Sequence, residues 1–361
     1  MVGCWLGTRR RGTAGVWLAM AAWLAAALPA LASGSSDTYS LAVTSDAPAS
    51  YWRLNDSAGS VAVDERGTNA GVASNITWGQ AGALYANIAS SAQFSSGSAS
   101  SIAIPTPTTL MPDTSDLTVE AWVSLTTVSA PVPLVTWDPS GFTSTASLGS
   151  YQLLVDNSGR VVFKVIDNAS LGVSVIGPAI DNGIFHHVVG VLDRGNSLLR
   201  IYVDGLEQAT SSAAGLAAVQ ASTPMQNMYL GMRFDYLGGN TYLNGYLDEV
   251  AIYINAMSAN RVAEHYRIGQ DALTVHSTAN SGHGTLRRAI GIANALSGAN
   301  TISFALTGSS NYTIQLQAAL PSITEKVTID GTTQSGYAGS PLVGLLGPVS
   351  TAPGLVFDAG S

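Results

Sequence analysis

Residues 183–266 carry GIFHHVVGVLDRGNSLLRIYVDG (183–205) and NMYLGMRFDYLGGNTYLNGYLDEVAIYINAMSANRVAEHY (227–266). Val188, Val189 and Val191 run into an Asp193-Arg194-Gly195-Asn196 turn, and Leu198, Leu199, Ile201 and Val203 run into Asp204-Gly205. Such turn residues between β-branched and aromatic runs predict antiparallel hairpins. Upstream, Tyr151 to Asp156, the Asn157-Ser158-Gly159 turn and Val161 to Ile166 predict another. In 118–125, Thr118, Glu120, Trp122 and Ser124 share one face, and Val119, Ala121, Val123 and Leu125 the other. A period of two over many short strands with frequent turns predicts two packed antiparallel sheets. Ser258 reads as an N-cap, and Val262 and Tyr266 lie four apart, which predicts a short closing helix.

The ends and the composition bound the rest. Arg9, Arg10 and Arg11 precede an apolar run from Ala14 to Leu28 and an A-x-A site at Ala30-Leu31-Ala32. The run is shorter than the about 20 residues of a bilayer span, so residues 1–32 are expected to be a cleaved secretion signal, with a membrane anchor as the alternative. Without them, twelve Lys and Arg face 23 Asp and Glu, a net charge of −11. Only Lys164 and Lys326 are lysines. Such a surface repels phosphate backbones, which argues against nucleic acid as a partner. Charged residues make up 11% of the chain, against about 25% in ordinary soluble domains. Cys4, the only cysteine, lies in the signal segment, so the remaining chain has no disulfide and no thiolate metal site.

Tyr51-Trp52-Arg53-Leu54-Asn55-Asp56, Asp64-Glu65-Arg66-Gly67, Ile102-Ala103-Ile104-Pro105 and Leu117-Thr118-Val119-Glu120-Ala121-Trp122-Val123 together resemble laminin G-like modules, the concanavalin A-like jelly roll. Two positions depart from that pattern: Ser95 follows Phe94 where the family has Gly, and Phe185 precedes His186-His187 where it has Trp. The resemblance implies an all-β jelly-roll sandwich over 38–268, after a polar linker at 33–37. It also implies a secreted or cell-surface recognition or adhesion module whose partner is an extracellular glycan or protein. Two alternatives remain, a piece of a polysaccharide-degrading enzyme and a ligand-free structural spacer.

Beyond residue 271 the pattern changes. Leu286, Ala289, Ile290 and Ala293 recur at helical spacing, with Gly298 beyond them as the stop. Thr301-Ile302-Ser303-Phe304, Thr313-Ile314-Gln315-Leu316 and Val327-Thr328-Ile329-Asp330-Gly331 follow. This order resembles the N-terminal cap and first rungs of secreted right-handed parallel β-helix proteins. A solenoid needs several rungs, so 271–361 is expected to be the truncated start of one.

No catalytic residues are expected. His186 and His187 are adjacent on a strand and point to opposite faces, so they cannot chelate one ion together. Retaining glycosidases need two carboxylates about 5 Å apart on one face, and the E-x-D-x-x-E signature of those on this sandwich is absent. Asp248 and Glu249 are expected to face opposite ways. Related jelly rolls tie an early loop to a late strand with calcium, which implies a structural Ca2+ at Asp64, Asn69 and Asp248, with hard oxygen ligands. The alternative is that Asp64 caps a turn and Asp248 bonds to backbone. No organic cofactor is implied. For sugar stacking the candidates are Trp137 with Asp138, Tyr236 and Tyr242, for each of which core packing is the alternative. Asn75-Ile76-Thr77, Asn168-Ala169-Ser170 and Asn311-Tyr312-Thr313 are glycosylation sequons that matter only in a eukaryotic secretory route.

Overall fold

A computed structural model of the chain describes residues 15–17, 36–84, 90–137, 150–220, 227–233, 239–282, 284–296, 298–308, 311–347 and 354–358. The chain forms two compact units that divide between His265 and Tyr266.

The first unit, Gly34–His265, is an antiparallel β-sandwich of two sheets. In spatial order the back sheet is β15 (Leu206–Ser212), β14 (Leu198–Val203), β13 (Phe185–Asp193), β8 (Leu117–Ser124), β19 (Gly245–Tyr253), β6 (Ser90–Phe94) and β5 (Thr77–Ala81). A further strand, β2 (Ser50–Trp52), also pairs with β19. The front sheet is β12 (Gly172–Ala179), β11 (Arg160–Ile166), β10 (Ser150–Val155), β9 (Val132–Trp137), β16 (Met228–Leu230), β7 (Ser101–Ile104), β4 (Gly71–Ser74) and β3 (Val61–Ala62). A small hairpin joins β17 (Met232–Arg233) to β18 (Thr241–Tyr242).

The expected alternation sets the core. Val119, Ala121, Val123 and Leu125 point into it, with Leu153, Phe163, Ile201, Met228 and Ile252. Gly190 is required where the sheets approach, because a Cβ there would lie 2.3 Å from the Phe163 ring. The opposite face of β8 is buried as well. The reason is helical cover. The stretch expected to begin with a polar linker forms α1 (Ser36–Ser45), and the expected closing helix is α2 (Ala259–Gln270). Tyr39 and Val43 on α1, four apart, are fully buried, as is Val262 on α2. Ser258 Oγ accepts the Arg261 N–H at 3.3 Å, the expected N-cap.

In the second unit, α3 (Leu286–Ala295) buries Leu286, Ala289, Ile290 and Ala293, the face read from the sequence. Thr285 caps it, and Gly298 stands beyond its end with φ +87°. The strands are short and parallel. In one sheet β21 (Asn300–Phe304) lies between β20 (Thr274–Val275) and β23 (Val327–Ile329). In the other, β22 (Tyr312–Gln315) pairs with β24 (Val343–Leu346). Ile302, Phe304, Ile314, Ile329 and Val343 join α3 in one core. Gly15–Trp17, the strand β1, pairs antiparallel with β24.

Candidate functional site

The back sheet gathers a buried polar network beneath α1 and α2. Glu120, on the central strand β8, is its hub and is fully buried. Tyr39 donates to its Oε1 at 2.9 Å and Tyr253 to its Oε2 at 2.7 Å. His187 Nε2 lies 2.7 Å and His265 Nδ1 2.9 Å from Oε1. Trp122 Nε1 donates to the Tyr39 hydroxyl at 2.8 Å, and the two rings meet edge-on. On its other side, His265 Nε2 lies 3.0 Å from Asp46 Oδ2, and the Arg261 guanidinium binds the same carboxylate. Both helices are therefore fastened to β8 through one carboxylate.

The charges follow from this geometry. Burial alone would push the Glu120 carboxyl up, but His265 and His187 hold it well below the usual carboxylate range. Burial opposes charge on His265, yet Glu120 and Asp46, one at each ring nitrogen, raise its pKa to about 9. His265 is thus an imidazolium with a carboxylate on either side. An unpaired buried charge would be very costly, and this pairing is what makes the burial tolerable.

A second acidic group sits on β19. The pairing with β8 shifts between Asp248 and Ala251, so two residues intervene between the inward-facing Leu247 and Val250. Glu249 takes φ +50° in this bulge. Asp248 and Glu249 therefore both leave the core face, which corrects the expectation that they face opposite ways. Tyr51 donates to Glu249 Oε2, and Arg53 Nε lies 3.6 Å from Oε1. Burial raises the Glu249 pKa to about 7 against the pull of Arg53. Asp248 accepts the Ala83 N–H at 2.8 Å, and burial followed by the neighbouring Glu249 raises its pKa well above the ordinary value. Glu120, Asp248 and Glu249 are each 0% exposed. None can touch a substrate while the helices are in place.

The sequence candidates fall in several places. Asp64 accepts from Tyr51 N and Arg66 N on Oδ1, and from Ser50 Oγ, Thr68 N and Asn69 N on Oδ2. Asn69 Nδ2 donates to Ser50 Oγ and Thr109 Oγ1. These residues pin the 64–69 loop to the start of β2. Five donors saturate Asp64, and Asp248 is fully buried and accepts the Ala83 N–H, so the three do not fit a hard cation. Among the described residues no group of three or more His, Cys, Asp or Glu could hold a metal ion. Trp137 is 1% exposed and packs against Tyr151 with ring centroids 5.6 Å apart, so it is core rather than a stacking platform. Tyr242 is half-buried and its hydroxyl receives Asn240 Nδ2 at 3.2 Å. Asp138 and Tyr236 lie outside the described residues. His186 and His187 do point apart, His186 to Asp204 at 2.9 Å and His187 to Glu120. His265 and Tyr39 were missed, although the Tyr39/Val43 spacing was available.

The front sheet presents a different face. One register row crosses it: Tyr229 opposite Thr136, Thr136 opposite Gln152, Gln152 opposite Lys164, and Lys164 opposite Ser174. Their chain neighbours Met228, Val135, Leu153, Phe163 and Val175 are core residues, so the row points outward.

Residues 96–263 match a laminin G-like family described as the concanavalin A-like lectin/glucanases superfamily. The sandwich is thus a concanavalin A-like jelly roll. The binding domain of Paraclostridial Mosquitocidal Protein 1 is similar at 16% identity, with 63% of this chain and 53% of that chain covered and a TM-score of 0.48. The Botulinum neurotoxin serotype D binding domain is similar at 15% identity, 65% and 54% coverage, and a TM-score of 0.45. Ruminococcus gnavus IT-sialidase CBM40 bound to alpha2,6 sialyllactose is similar at 16% identity, 43% and 83% coverage, and a TM-score of 0.36. The chain spans about half the length of the two toxin binding domains. No curated protein matches the chain.

Proposed function

We propose that this is a secreted, non-catalytic recognition module that binds glycan or another extracellular polymer through its jelly roll. The observation that carries the reading is the match of residues 96–263 to a lectin and glucanase superfamily. Full burial of Glu120, Asp248 and Glu249 favours binding over hydrolysis, since a glycosidase needs its carboxylates on the bond to be cleaved. The Arg9–Arg11, apolar and A-x-A pattern supports secretion. On the front sheet Tyr229 is a half-buried aromatic ring that points away from the core, the kind of group on which a sugar stacks. The test is a glycan array probed with the labelled full chain. Saturable binding to at least one glycan class, with no reducing ends released from it, is expected. Absence of binding, or turnover of the bound glycan, would overturn the reading.

The second unit is read as the start of a right-handed parallel β-helix. The parallel pairing of Thr274 with Ser303, Asn300 with Val327 and Tyr312 with Val343 supports this. A crystal structure of the chain tests it. The pairs β20–β21, β21–β23 and β22–β24 are expected to stack as successive coils of one right-handed solenoid, and a left-handed or unstacked arrangement would contradict it.

A further inference from the structure

The outer face of the front sheet changes character on the two sides of Tyr229. Val61 lies opposite Val72, Val72 opposite Ala103, and Ala103 opposite Tyr229. Their chain neighbours Ala62, Ala73, Ile102, Ile104, Met228 and Leu230 are core residues, so all four point outward. Past Tyr229 the row is covered. Thr136 is 2% exposed, its Oγ1 donates to the Met232 carbonyl at 2.5 Å, and the β17–β18 hairpin packs on β9 there. Towards β3, the last strand of the sheet, the row is open. Val61 is 52% and Val72 51% exposed, and Val63, just past β3, is 48% exposed. The solvent side of an antiparallel sheet is ordinarily polar. Single exposed apolar residues mean little, but a contiguous set marks a contact surface.

We propose that this open half-row binds an internal stretch of a neutral, flat-faced glycan, a chain of β-linked pyranose rings with equatorial hydroxyls, laid across β16, β7, β4 and β3. This rests on the glycan reading above and adds the ligand's class and its mode of binding. Such rings present C–H groups on their faces and hydroxyls at their edges. The row is built to match, with the Tyr229 ring for stacking at the covered end and an aliphatic floor of Ala103, Val72 and Val61 leading away from it. Asn227 Nδ2 donates to the Tyr229 hydroxyl at 3.4 Å. Ser74 and Ser101 lie opposite one another, two residues along from Val72 and Ala103 on the same face, and give ring-edge hydroxyls a polar border. Three strand spacings of about 4.8 Å make the row roughly 14 Å long, and it is open where the sheet ends, so the ligand needs no chain terminus at the site. Val61, Val72, Ala103 and Tyr229 bring no charge, so the row gives a ligand carboxylate no partner. A second copy of this chain would also cover the valines, but it would bring a net charge of −8 against the same charge, which opposes close approach.

The test is calorimetric titration of the full chain with cellohexaose and xylohexaose as flat chains, maltohexaose as a coiled one and sialyllactose as a charged one, with sedimentation to follow self-association. At least one flat chain is expected to bind more tightly than maltohexaose and sialyllactose. Its affinity should hold between about 25 and 250 mM sodium chloride, since salt screens charges and not apolar contacts. Val72→Ser, an exposed change, should weaken it about fivefold without moving the thermal melt. Tyr229→Ala should abolish it and Tyr229→Phe should keep it. Equal or tighter binding of maltohexaose or sialyllactose, or a Val72→Ser chain that binds as the parent does, would overturn the inference and leave glycan recognition standing. So would a dimer that Val72→Ser breaks in a chain that ignores flat oligomers but binds other glycans. Failure to bind any glycan would remove the glycan reading itself.

Discussion

His265 Nδ1 lies 2.9 Å from Glu120 Oε1, which joins α2 to the central strand of the back sheet through a fully buried ion pair. Tyr39 of α1 donates to the same oxygen. The two helices that flank the sandwich in sequence are therefore held at one point in space.

This arrangement makes stability depend on pH. His265 is raised from its ordinary 6.5 to about 9, so its contribution is complete below about pH 6.5 and is lost as pH rises through 9. Glu249, raised to about 7, contributes fully below about pH 4.5 and loses its share as pH rises through 7. Glu120, held low, contributes above about pH 4.5 and loses its share as pH falls through its depressed value. The melting temperature should peak near about pH 4.5 and decline as pH rises, first with Glu249 and then with His265. The His265 share is on the order of 3 kcal/mol. Calorimetry should show that His265→Gln flattens the alkaline decline, and an unchanged decline would count against the ion pair.

Tyr39→Phe should destabilise the jelly roll by about 2–3 kcal/mol in urea unfolding. The change removes one donor to the Glu120 carboxylate and the acceptor of the Trp122 indole N–H, both buried. A loss below about 0.5 kcal/mol would mean that α1 is not fastened there.

Trp122 and Trp137 should both behave as structural residues. Each is buried, Trp122 under α1 and Trp137 between the sheets. Replacement of either by Ala should cost about 3–5 kcal/mol. A folded, stable Trp137→Ala that had lost glycan binding would return Trp137 to the role of a stacking platform.

Calcium should leave the melt unmoved. Asp64 is already saturated by five donors, and Asp248 is fully buried and accepts the Ala83 N–H. Extracellular sites bind near 10⁻⁴–10⁻³ M, so about 10 mM calcium against EDTA is the appropriate comparison. A rise of several degrees that Asp64→Ala abolishes would show a site that the hydrogen-bond pattern conceals.

The strand pattern was legible because alternation in 117–125 and turn residues at Asp193–Asn196 are local signals. The α3 face was legible for the same reason. The network around Glu120 was not. A Glu on an alternating strand reads as solvent-facing until helices from both ends of the domain cover it, and that cover is a tertiary fact. SDTYSLAVTS hides α1, because Ser, Asp and Thr are poor helix formers and only packing of Tyr39 and Val43 stabilises it. The bulge at Asp248–Glu249 depends on register against β8, which no single strand encodes. Trp137 beside Asp138 offered a stacking candidate with core packing as the alternative, and its place at the end of β9 puts it in the core.

Affinity electrophoresis of the full chain through polysaccharide-containing gels tests most directly that the jelly roll recognises glycan by its front sheet. Wild type and Tyr39→Phe should both be retarded, since the buried network takes no part in binding, and Tyr229→Ala should run unretarded while still folded. Wild type that runs unretarded in every polysaccharide, or a retardation that Tyr229→Ala keeps and Tyr39→Phe loses, would contradict the account.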